Sequence, residues 1–153
     1  MARFDTSGLD DLIRDMTRRG ESSGPMAEAM VAAATVEIKA AWRESAEAHK
    51  LRKTGDMIDA IGVPGPVMKI GDAFAQDIYP QGKDRKGVRN VEKAFILHYG
   101  KHGYEPTYWV DDADAASAPK VQARLEAMWA DYLETGVVPV VADTGSAVKR
   151  RKT

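Results

Sequence analysis

The sequence predicts an α+β fold, a small mainly antiparallel sheet packed with a long alanine-rich helix and a C-terminal helix. Three observations carry this. Ala27, Val31, Ala34, Ile38, Ala41, Ser45 and Ala48 recur at alternating steps of four and three, which puts one small apolar face on a helix from Pro25 to His49. Two short runs, 66–70 and 73–80, flank Gly71-Asp72 as a hairpin would. Val121, Leu125, Met128, Trp129 and Tyr132 return to helical spacing near the end.

Taken in order, Leu9, Leu12, Ile13 and Met16 mark a first short helix over Leu9–Arg19, started near Ser7 or Asp10. "GESSGP" (20–25) breaks it, and Pro25 suits the opening of the next helix. That long helix, roughly 35 Å at 1.5 Å per residue, carries Met30 and Trp42 as core residues beside its stripe and ends in the basic "HKLRK", the charge a helix C-terminus favours. In "KTGDMIDAIG" (53–62), Thr54 or Asp56 caps a short helix that turns Met57, Ile58 and Ile61 inward, and Gly62 with Pro64 stops it. Thr54 and Gly55 are the candidate hinge between the long helix and the sheet.

After the hairpin, "QGKDRKG" (81–87) is a polar basic loop. "VRNVEKAFILHYG" (88–100) is a helix with Val91, Ala94, Phe95 and His98 on one face, and "PTYWV" (106–110) is expected as a third strand. The closing helix starts among Asp111, Asp112 and Asp114, whose charges suit its N-terminus, and stops at Gly136. Residues 1–135 make one domain. Residues 136–153 are an extension, with an edge strand interrupted at Pro139 and then a tail that is flexible or orders on assembly.

Composition excludes several functions. There is no cysteine, hence no disulfide, thiolate zinc site or cysteine nucleophile. No apolar run approaches the roughly 18 residues that span a bilayer, and the charged amphipathic opening lacks a secretory pattern, so the chain is expected to stay in the cytoplasm where it is made. His98 and His102 have the i, i+4 spacing of a helical metal pair, but Gly100 lies between them and no HExxH glutamate accompanies them. GxSxG, GxGxxG and GxxxxGK[ST] are absent. No cofactor, metal or catalytic residue is expected.

Charge is more informative. The net charge of -1 hides a basic segment, 82–93, with five basic and two acidic residues, and an acidic segment, 111–134, with six acidic and two basic. Lys83, Arg85, Lys86 and Arg89, with the tail residues Lys149, Arg150, Arg151 and Lys152, are candidates to face DNA or another subunit. Asp111, Asp112, Asp114 and His98 are candidates for a subunit interface. On charge alone, a nucleic-acid-binding accessory protein is the alternative reading.

The ordered set "FDTSGLDDLIRDM", an alanine-rich helix, "KTGDMIDAIG", "YPQGKDRKGVRNVEKAFILHYGKHG", an aromatic strand and a closing helix resembles the tail-component or morphogenesis family of long-tailed bacteriophages. These are the small head-tail joining proteins of the neck. The resemblance covers about residues 4–134. Lys53-Thr54-Gly55 and Ile61 match the family pattern, Ala60 stands where serine is usual, His98 where glutamate is usual, and the proline-rich segment is reduced to Pro106. It implies a non-enzymatic virion protein that completes or terminates the tail and joins it to the head, as a ring of six around the DNA channel. The implied partners are other copies of itself, the tail tube protein, head-tail connector proteins and genomic DNA in the lumen. The implied place is the virion, after assembly in the host cytoplasm.

Overall fold

The computed structural model describes residues 23–141, together with Gly8 and Ile13. The helix expected over Leu9–Arg19 and the basic tail Lys149, Arg150, Arg151 and Lys152 therefore lie outside the described residues, apart from Ile13, which is helical and buried.

Helix α1, Ser23–Ala48, is the central strut. Ala27, Val31, Ala34, Ile38, Ala41 and Ser45 of the expected stripe are buried, and Ala48 alone is exposed. Burial spreads further round the helix than the stripe, because Met26, Met30, Ala33, Trp42 and Ala46 are also enclosed. The alanines explain this, since short side chains let neighbouring elements approach from more than one side.

α4, Trp109–Thr135, lies antiparallel along α1. Its first residue, Trp109, meets Trp42 and Ser45 near the end of α1. Midway, Arg124 reaches Glu37 at 3.0 Å and the carbonyl of Ala33, and at its far end Met128, Trp129 and Tyr132 pack over Met26, Ala27 and Met30. Two apolar clusters result, one round Trp42, Ile58, Ile61 and Trp109, the other round Ile13, Met26 and Val31, and Leu125 packs against both. Gly136 closes α4 in the left-handed region at φ 67°, as expected of a helix stop.

The fold class stands, but the strands differ from expectation in three places. The antiparallel strands form two separate pairs. β1, Ile61–Gly62, pairs with β4, Tyr79–Pro80, and β2, Met68–Ile70, pairs with β3, Ala73–Ala75. Gly71, at φ 62°, makes the expected tight turn of the second pair. The run 73–80 divides because its end serves β1 instead of the hairpin, and Ile61 accordingly belongs to a strand and not to the short helix.

The third strand expected at 106–110 does not form. Thr107 and Tyr108 donate their N–H groups to the carbonyls of Leu97 and His98, at the end of α3, Asn90–Tyr99, and Trp109 already begins α4. Those carbonyls would otherwise be orphans of a helix end, so the segment caps α3 instead of joining a sheet. The edge strand expected after Gly136 is also absent from the described residues, where 137–141 run without strand pairing. Within α3 itself, Ala94 and His98 are buried with Asn90, whereas Phe95 points outward.

The short helix α2, Asp56–Asp59, has Gly55 as its N-cap at φ 86°, with no side-chain cap bond. A glycine supplies this conformation more cheaply than Thr54 or Asp56 could. Met57 and Ile58 are buried as expected.

Candidate assembly surfaces

The basic loop is built round one aspartate. The Asp84 carboxylate accepts hydrogen bonds from the backbone N–H groups of Lys86 and Val88, each at 2.8 Å, and pairs with Lys93 Nζ. Its backbone N–H donates to the Val88 carbonyl. The Lys93 ammonium, helped by the two N–H donors, holds the carboxyl below its usual range.

A second clamp ties the loop to α2. Arg85 donates from Nε and Nη2 to the two oxygens of Asp56 at 2.9 and 2.8 Å, and its backbone N–H adds a third bond at 3.2 Å. This fork-on-fork contact holds the Asp56 carboxyl well below the usual carboxylate range and raises Arg85. On the other side of the turn, Arg52 bridges Glu47 at 2.5 Å and Asp59 at 3.1 Å. The candidate hinge residues Thr54 and Gly55 thus sit in a turn clamped on both sides.

The four basic loop residues are not equivalent. Arg85 is committed to Asp56, and Arg89 pairs with Glu92 at 3.3 Å. Lys83 and Lys86 are exposed and have no ion pair among the described residues.

Lys86 faces a cleft of about 400 Å³ that charge counting along the chain does not reveal. Its rim carries Lys50, Lys53, Lys86 and Lys101, and its floor is apolar, from Leu51, Met57, Ile58 and Leu97. Asp84 is the one acidic lining residue, and Lys93 already neutralises it. Lys101 Nζ also lies 5.4 Å from the Tyr104 ring centroid. These lysines come from three separated segments, so no window of sequence holds them together. The available signal was "HKLRK" at the end of a helix that packs near 82–93.

The candidate acidic surface is partly absorbed by the fold. Asp112 pairs with His49 at 2.6 Å, and Asp111 faces His98 Nε2 at 3.7 Å. Asp114 accepts from Trp42 Nε1 at 3.4 Å, and desolvation there pushes its carboxyl above the usual range, with the Asp111 charge adding to the effect. His98 is buried, and its Nδ1 accepts the backbone N–H of Val110 at 3.3 Å, which leaves Nε2 as the ring's donor, 3.7 Å from Asp111. His98 is therefore a joint between α3 and α4. The exposed groups beside it are aromatic, with Phe95 and Tyr99 4.7 Å apart and Tyr108 next to the His98 ring.

At the opposite end of the molecule, α4 finishes with Glu126, Asp131 and Glu134 and no basic residue after Arg124. Leu133, Val137 and Val140 there are exposed, while Val138 folds inward onto the second cluster. Among the described residues no group of His, Asp and Glu could hold a metal ion, and no helix is long and apolar enough to cross a membrane. No family model, curated protein or solved structure matches the chain.

Proposed function

We propose that this chain is a non-enzymatic structural subunit that assembles head to tail into a ring, in the neck of a long-tailed bacteriophage, where it completes the tail and joins it to the head. The observation that carries the reading is the polarity of the subunit. A lysine-rimmed cleft near residues 50–53, 86 and 101, at the end that also holds Asp111 and Asp112, and an acidic stretch near residues 126–134 are separated by the length of the α1–α4 pair. With 1.5 Å per residue, that separation is roughly 35 Å. Surfaces of opposite charge at opposite ends favour heterologous contacts, and heterologous contacts close into rings when the rotation permits.

The phage assignment rests on the ordered motifs of the sequence. They fall at joints of this fold, with "KTG" at the turn before α2 and "AFILHYG" running to the end of α3. The tail tube and the head-side connector are the partners this role requires, with DNA passing through the lumen.

Light scattering across a concentration range, with negative-stain images of any large species, tests the reading. Closed rings, six subunits being the expected number, support it. A strict monomer that stays monomeric when tail tube and connector proteins are added overturns it.

The second reading, nucleic-acid binding, is favoured by the unpaired Lys83 and Lys86. Under it the monomer binds short duplex DNA with an affinity that falls steeply with salt, and Lys83→Ala with Lys86→Ala weakens that binding across all sequences.

A further inference from the structure

We infer that the lysine-rimmed cleft is a socket for a second copy of this chain, filled by the exposed end of α4 and the residues just beyond it. The inference rests on the ring reading and names the contact that would build the ring.

Both halves are unusual as solvent-facing surfaces. The socket has an apolar floor, including Met57 and Leu97, under a rim of lysines that have no acidic partner among the described residues. Such a site disfavours a purely apolar ligand, which would strip water from the ammonium groups, and equally a small inorganic anion, which would leave the floor wet. It suits a segment that alternates carboxylates with aliphatic side chains.

Residues 131–140 have this character. Leu133 is 53%, Val137 66% and Val140 96% exposed, and Asp131 and Glu134 stand beside them. The inward turn of Val138 onto its own core anchors the segment and presents Val137 and Val140 outward together. Within one molecule this plug cannot reach the socket, because the antiparallel α1–α4 pair holds them at opposite ends. The chain's other acidic amphipathic stretch, residues 4–16, is a weaker occupant, since its Ile13 is already buried against Met26 and Met30. In the docked pair the aliphatic side chains cover the floor while Asp131 and Glu134 face the lysines, so the rim charges set register and association rate more than net affinity.

The test uses the full-length chain in three forms, Lys53→Glu with Lys86→Glu, Asp131→Lys with Glu134→Lys, and all four together. Light scattering should show the concentration for half-association rising by roughly tenfold or more in each double variant, where like charges meet, and returning towards wild type in the quadruple variant. A second measurement needs no substitution. Carbodiimide cross-linking of a mixture of isotope-labelled and unlabelled wild-type protein should join Asp131 or Glu134 of one copy to Lys50, Lys53, Lys86 or Lys101 of another.

Rings that form unchanged in both double variants would overturn the socket and leave the ring reading standing. A species that stops at a dimer but carries these cross-links would support the socket and overturn the ring. Cross-links confined to other residues, or none at concentrations where the protein associates, would overturn the socket, as would loss of DNA binding in Lys53→Glu with Lys86→Glu without any change in mass.

Discussion

Trp109 links three helices of this molecule. It is fully buried, meets Trp42 edge to face at 5.5 Å, donates its indole N–H to the Ala94 carbonyl, and accepts the Ser45 hydroxyl on its own carbonyl at 2.5 Å. One residue thus joins α1, α3 and α4. Trp109→Ala should cost about 3–5 kcal/mol in urea unfolding, and Trp109→Phe distinctly less, since the ring contact with Trp42 largely survives. Asp56 governs a more local property. Asp56→Asn leaves the fold intact but removes the charge that Arg85 grips, so amide exchange should quicken at Lys86, Gly87 and Val88 while the core amides keep their protection. The acid response comes from the same groups. Asp56 and Asp84 have folded pKa values below their unfolded ones. Their stabilisation is complete above the unfolded value, near 3.9, and fades as the pH falls through the depressed folded values. Asp114, shifted upward, acts in the opposite sense, favouring the folded state once the pH drops below its raised value. A melting-temperature series from about pH 6 to 2 should therefore show the wild type losing stability chiefly below pH 4, and Asp56→Asn losing less over that interval.

At the scale of elements, glycine and proline positions give the sharpest expectations. A Cβ at Gly55 would collide with the Arg52 guanidinium, a flexible group that can swing away, whereas a Cβ at Gly100 would lie 2.7 Å from the Tyr104 carbonyl oxygen and 2.9 Å from the Pro106 nitrogen. Both residues have positive φ. Gly100→Ala should therefore destabilise more than Gly55→Ala, itself costing about 1–3 kcal/mol, when the two are compared by chemical denaturation. Gly55→Val separates the two meanings of the turn. A folded protein that no longer assembles would support a hinge, while loss of stability would mark a structural joint. Pro119 lies exposed inside α4, where it removes a hydrogen bond and crowds the Ala115 carbonyl. Pro119→Ala should raise stability by about 1–3 kcal/mol. A loss instead would mean that a bend there is needed to bring Val121 and Leu125 onto α1. The helices were legible in the sequence because their signals are local. Stepwise alanines define α1, and the apolar spacing up to Gly136 defines α4. The segment 106–110 departs from the strand its aromatic, β-branched run predicts because the Leu97 and His98 carbonyls, which capture its N–H groups, are not visible in the local sequence. The run 73–80 divided for a related reason, since its partner β1 lies in another part of the chain. Of the surfaces, the Arg85 and Arg89 charges were visible but not their partners, and the lysine cleft was hidden because folding alone gathers residues 50, 53, 86 and 101.

Taken whole, the molecule is a pair of long antiparallel helices with α2, α3 and the β1–β4 strands near one end and the β2–β3 hairpin, through Phe74, on the cluster towards the other, and the two clusters of the core are strung along the helices. This arrangement has a consequence for synthesis on the ribosome. The buried side of α1 is completed by α4, which is made last among the long elements, so α1 emerges and waits for its cover. At about 5–20 residues per second, translation from residue 48 to residue 135 takes roughly 5–20 s, far longer than a helix needs to form. During that interval α1 has its hydrogen bonds but not its partner, and a face on which alanines alternate with Met26, Met30, Val31, Ile38 and Trp42 offers a nascent chain less to aggregate through than an all-leucine face would. Chains stalled at residue 108 should accordingly remain open to protease along α1, and the same sites should close only after Trp109 to Tyr132 have been added. The two core clusters are thus closed only when α4 has been delivered.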